Sequence, residues 1–69
     1  MTVVTINGKR RDLGQSATIE TAVRAIGAPG GRGVAVALDG EVVPRGEWAS
    51  TEVRDGQQVE ILHAVQGGA

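Results

Sequence analysis

Thr2-Val3-Val4-Thr5-Ile6-Asn7-Gly8-Lys9-Arg10-Arg11-Asp12-Leu13, followed after a short gap by Thr18-Ile19-Glu20-Thr21-Ala22-Val23-Arg24-Ala25-Ile26-Gly27, decides the fold. The first stretch is rich in β-branched residues up to Asn7-Gly8, a pair that readily takes the positive φ angles of a two-residue type I′ turn. It predicts a hairpin of strands over residues 2–6 and 9–13. In the second stretch Thr18 is a helix cap, its hydroxyl free to accept an early backbone N–H, and Glu20 suits the positive end of the helix dipole. Ile19, Ala22, Val23 and Ile26 recur at i, i+3, i+4 and i+7, one apolar stripe of a helix. Gly27 is a C′ stop with Pro29 close behind.

Working outward, residues 14–17 are expected to be a loop. Ala28-Pro29-Gly30-Gly31-Arg32-Gly33 is glycine-rich, but it follows a helix and precedes a strand, the reverse of a phosphate cradle, and is expected to be a plain connector. Residues 34–38 form the next strand, and Asp39-Gly40 turns it into a strand over 41–43. Pro44, with no N–H to donate, ends that strand. Residues 45–50 form an irregular or short helical crossover, Asp55-Gly56 makes a third turn, and 57–65 is the last strand. A single helix covers only one face of one sheet, so a chain of 69 residues with this order is a two-layer α+β domain.

Alternation along the strands sends Val4, Ile6, Leu13, Val34, Val36, Leu38, Val43, Val59, Ile61 and Val65 toward the helix. Ala35, Ala37, Leu62 and Ala64 fall on the opposite face, with Val42 nearby. Small and apolar residues there are either a docking surface for another protein or incidental composition. Trp48, the one aromatic residue, is either a cap over one end of the core, with its indole N–H on a backbone carbonyl, or an exposed anchor for a partner.

Composition narrows the function. Seven basic residues face eight acidic ones, for a net charge of −1, where a nucleic-acid or anionic-membrane ligand calls for a basic excess. There is no cysteine, so neither disulfides nor thiolate chemistry is open to the chain. No apolar run approaches the ~20 residues of a membrane helix, and the first residues do not read as a signal peptide, so a cytoplasmic protein is expected. No pair of groups is spaced for acid–base or nucleophilic work, which gives no catalytic residue and argues against an enzyme. His63, without a Cys, Asp or Glu at ligand spacing, is not a metal site and is structural or partner-contacting. Lys9-Arg10-Arg11 is either a solvated strand edge that discourages edge pairing or a patch that docks an acidic partner.

The last residues read Gln66-Gly67-Gly68-Ala69. Two glycines hold a strand poorly, so residues 66–69 are expected to be a flexible tail beyond a domain of residues 1–65. The tail is either a frayed end or a thread without β-carbons that enters a narrow channel, reaching about 14 Å when extended.

The whole chain resembles the ThiS family of sulfur carriers in thiamin thiazole biosynthesis. The resemblance is carried by Ile6-Asn7-Gly8-Lys9, Ala35-Val36-Ala37-Leu38-Asp39-Gly40, Val42-Val43-Pro44-Arg45-Gly46-Glu47-Trp48 and Val59-Glu60-Ile61-Leu62-His63-Ala64-Val65-Gln66-Gly67-Gly68. It implies a ubiquitin-like β-grasp, a mixed sheet of four to five strands with one main helix on one face and the last strand beside the first. It also implies that an E1-like, ThiF-type adenylyltransferase uses ATP to adenylate the carboxylate of Gly68, with Gly67 and Gln66 as the tail behind it. Sulfur from a cysteine desulfurase or another donor then replaces AMP, and a ThiG-type thiazole synthase accepts it from the thiocarboxylate. The carrier itself would bind no cofactor. In the family the second glycine is usually last, whereas Ala69 follows it here; removal by a peptidase, an artefactual addition and tolerance by the partners all stay open. Alternative classes are a carrier for molybdopterin, cysteine or a sulfur-containing natural product, and a non-catalytic ubiquitin-like binding module or protein modifier.

Overall fold

A computed structural model of the chain describes residues 1–27 and 33–63. Strand β1 (Val3–Ile6) and strand β2 (Lys9–Asp12) form the first hairpin, with Ile6 opposite Lys9. Asn7 and Gly8 have φ of 52° and 84°, the two left-handed residues that a type I′ turn requires. Strand β3 (Ala17–Thr18) runs directly into helix α1 (Ile19–Ala25). Thr18 caps the helix: its hydroxyl accepts the Thr21 N–H at 3.4 Å, and the Thr21 hydroxyl accepts the Thr18 N–H at 3.1 Å. This reciprocal pair is a capping box built from two threonines. At the other end the Gly27 N–H, on a residue with φ of 78°, donates to the Arg24 carbonyl at 3.0 Å.

The second half begins with β4 (Val34–Leu38) and β5 (Glu41–Val43), joined through Asp39-Gly40. A 3-10 turn over Arg45–Glu47 leads to β6 (Glu52–Val53), and β7 (Gln58–His63) completes the described fold. The main sheet has the order β2-β1-β7-β4-β5. β1 and β7 are parallel and the other pairs antiparallel, so the last strand lies beside the first at the centre of the sheet. Residues 64 and 65, also expected in the last strand, and the connector over 28–32 lie outside the described residues.

The expected loop over 14–17 is corrected at its end. Ala17 pairs with Val53, and β3 and β6 make a separate two-stranded sheet. This pairing carries the crossover against the start of α1, where the Ile19 N–H donates to the Thr51 carbonyl at 3.0 Å and the Glu20 N–H to the Trp48 carbonyl at 3.2 Å. Early helix N–H groups have no partner inside the helix, so the crossover supplies the acceptors.

The core lies between α1 and the main sheet. Ile19, Val4, Val36 and Val59 are its most deeply buried side chains. Every residue assigned to the helix side by alternation, apart from Val65 outside the described region, is buried or packs partly buried against this cluster. Val53 joins it unanticipated, brought in by the β3–β6 pairing. Trp48 is buried, and its indole N–H donates to the Val43 carbonyl at 3.0 Å, so it caps the core and is not an exposed anchor.

Candidate functional site

The face of the main sheet away from α1 has an apolar end. Cross-strand register sets Ala35 opposite Leu62, and Ala37 opposite Glu60 on one side and Val42 on the other. Side chains opposite one another in antiparallel strands stand about 4.5–5.5 Å apart at Cβ, so Leu62, Ala35, Ala37 and Val42 adjoin across β7, β4 and β5. Leu62 is 68% exposed and Val42 77% exposed; among the described residues Met1 is the other large apolar side chain open to this degree. Ala64, the fifth residue expected on this face, lies outside the described residues, as do Gln66, Gly67 and Gly68.

Leu62 of the apolar patch stands on the strand that precedes the tail in sequence. β7 has Val59 and Ile61 buried against the helix while Gln58, Glu60 and Leu62 are exposed, and the same strand leads to residues 66–68. His63 has the parity of the buried side but is exposed, opposite Val34 at the limit of the core.

Side chains from both hairpin turns bind the β7 backbone, a feature not read from the sequence. The Asp39 carboxylate accepts the Gln58 N–H at 2.9 Å and the Gln57 side-chain amide at 3.0 Å. The Asn7 carboxamide oxygen accepts the Ile61 N–H at 2.8 Å, and its nitrogen donates to the Ile61 carbonyl at 3.0 Å. Both residues signal turns locally; their partners lie far along the chain, where no local pattern points.

On the far edge, Lys9, Arg10 and Arg11 of β2 are all exposed, as a solvated edge strand requires. Arg11 also donates to the Ala25 carbonyl at 3.0 Å, covering the end of α1. A groove of about 270 Å³ bordered by Val3, Thr5, Arg10 and Asp55 lies near the start of β7. Among the described residues no three His, Cys, Asp or Glu side chains are grouped to hold a metal, and no helix is long and apolar enough to cross a membrane.

One helix packed on a mixed five-stranded sheet, with the parallel first and last strands at its centre, defines a ubiquitin-like β-grasp domain. The crystal structure of the thiamine biosynthesis protein ThiS from Geobacter metallireducens superposes with a TM-score of 0.77 and 32% identity, over 97% of this chain and all of that one. A solution structure of a thiamine biosynthesis protein from the same organism gives a TM-score of 0.80 at 33% identity, over 99% of this chain and 90% of that one. A thiazole synthase from Paramagnetospirillum magneticum is 36% identical over 64 residues, 93% of this chain. The chain spans only about a fifth of that relative's length, 19%. The ThiS family model matches residues 4–68, and the chain belongs to the ThiS family.

Proposed function

We propose that this protein is the sulfur carrier of thiamin thiazole formation, a protein co-substrate and not an enzyme. The observation that carries the proposal is a family match running unbroken from the first strand through Gly68. The resemblance to a thiazole synthase favours the thiazole pathway over molybdopterin or another sulfur-containing product.

The chemistry needs little from the carrier. A carboxylate is a poor acyl donor. Attack of the Gly68 carboxylate on the α-phosphate of ATP, with pyrophosphate leaving, makes an acyl adenylate with a good leaving group. A sulfide-level donor then attacks the carbonyl and expels AMP, leaving a thiocarboxylate for a ThiG-type thiazole synthase. A ThiF-type adenylyltransferase supplies the catalytic groups, and Gly67 and Gly68 supply a thread without side chains. Where the donor is a desulfurase persulfide in place of sulfide, a thiol reductant cleaves the acyl disulfide that its attack forms. Ala69 would first be removed by a peptidase to free the Gly68 carboxylate. The patch of Leu62, Val42, Ala35 and Ala37 is the docking surface that holds the body while the tail reacts. A cytoplasmic location accompanies a partner that consumes ATP.

The test is an intact mass spectrum after incubation with a ThiF-type enzyme, ATP and sulfide. Replacement of one carboxylate oxygen by sulfur at a chain ending in Gly68 is the expected result. An unchanged mass, both for the full chain and for one ending at Gly68, with a partner active on its own carrier, would overturn the proposal.

A further inference from the structure

Antiparallel pairing with β4 follows β7 from Val59 to His63, whereas parallel pairing with β1 covers only Thr5 with Gln58 and Ile6 with Val59. β1 then turns away into the hairpin. At that point the Asn7 N–H donates to the Val59 carbonyl at 2.9 Å, and the Asn7 carboxamide meets both the N–H and the C=O of Ile61. The side-chain amide occupies the place of the next peptide group of β1 and adds one rung to the ladder beyond the strand's own end.

The turn alone does not require this side chain. Glycine satisfies a positive φ as well as asparagine does, and aspartate also tolerates the left-handed region. Only a carboxamide presents a donor and an acceptor side by side, as a two-way bond to one residue's backbone demands. The rung falls on the strand that carries exposed Leu62 one residue later and leads to Gly67.

We infer that Asn7 is a positioning residue for the diglycine end: its clamp on Ile61 fixes the direction in which β7 leaves the sheet relative to the apolar patch. This inference rests on the carrier role proposed for Gly68. A partner that grips the body at the patch receives the tail as an intramolecular reactant, and gains most when the direction of that tail is set before binding. Loosening the rung leaves the patch intact and spreads the directions of the tail. It therefore lowers the rate within the docked complex more than it weakens docking.

Asn7→Gly keeps the turn and removes both side-chain bonds, while Asn7→Asp keeps the acceptor and sets an oxygen against the Ile61 carbonyl. Amide exchange by NMR is expected to speed up about tenfold at Ile61 in Asn7→Gly, from the loss of a hydrogen bond to that peptide, with Val36 in β4 unchanged. In steady-state adenylation by a ThiF-type enzyme, kcat is expected to fall about tenfold while KM for the carrier stays within about twofold, the split that marks an interaction used after docking. Asn7→Asp is expected to fall with Asn7→Gly and not with wild type. Faster exchange at Ile61 with kcat unchanged would make the clamp merely structural, and unchanged exchange would remove the clamp; either overturns the inference alone. Failure of the wild-type chain ending at Gly68 to be adenylated would overturn the carrier role and this inference with it, while the exchange data still report on the rung.

Discussion

Leu62→Glu separates docking from folding. Leu62 is 68% exposed on the sheet face opposite the helix, so little of the core rests on it. A surface substitution of this kind is expected to change stability by no more than about 0.5 kcal/mol. Its effect on a partner is larger. Full burial of a leucine side chain is worth about 1.5–3 kcal/mol, and with about two thirds of Leu62 still open, covering it contributes about 1–2 kcal/mol. A glutamate forfeits that contribution and adds a carboxylate whose lost hydration costs about 1–3 kcal/mol when unpaired. The new charge also stands on the same face as Glu60, two residues back along β7.

Taken together the loss is about 2–5 kcal/mol, a weakening of roughly 30-fold to several thousand-fold. Leu62→Ala forfeits only burial and is expected to weaken binding by roughly 5- to 30-fold. Titration calorimetry against a ThiF-type enzyme measures both, and thermal melting by circular dichroism checks the fold. Wild-type affinity in Leu62→Glu would refute the docking face. An unfolded variant would refute the claim that Leu62 lies outside the packing.

Three further outcomes are expected. A chain lacking Gly67 and Gly68 should keep its melting temperature and accept no sulfur, read by circular dichroism and intact mass; full loading would refute the tail as the reacting end. Trp48→Phe removes the indole N–H from the Val43 carbonyl and leaves unfilled volume, a loss of about 2–4 kcal/mol by urea unfolding. A loss under about 1 kcal/mol would remove Trp48 from the core cap. Thr18→Ala breaks the capping box and should cost about 1 kcal/mol, a fall of about 4–8 °C in Tm, whereas Thr18→Ser should restore most of it.

Local signals carried most of the fold. Asn7-Gly8 and Asp39-Gly40 announced hairpins, and all four residues have the left-handed φ those turns need. The cap at Thr18 and the stripe from Ile19 to Ile26 announced the helix, and period-two alternation separated buried Val36, Val59 and Ile61 from exposed Leu62. What escaped was nonlocal. β3 and β6 are two residues each, too short to show any period, and Val53 enters the core only because Ala17 pairs with it. The placement of β7 beside β1 came from resemblance, since nothing in either strand names its partner. The bonds from Asn7 to Ile61 and from Asp39 to Gln58 span 54 and 19 residues, distances at which side-chain type alone specifies no target.

On the carrier role proposed here, the position of β7 would let so small a domain offer its reactive end from a strand held on both sides. A terminal strand at a sheet edge would be held from one side only and would fray from its free end. Here the terminal strand of the described fold is central, with β4 paired along it to His63 and β1, extended by Asn7, reaching Ile61 on the other side. Its inward residues, Val59 and Ile61, are anchored in the core beneath the helix. Its outward Leu62 belongs to the apolar patch proposed for docking. In the proposed carrier role, burial and docking fall on one strand, and the strand before the diglycine would supply its orientation. A change that moved β7 by one residue would exchange its buried and exposed faces together, losing the core and the exposed apolar patch at once.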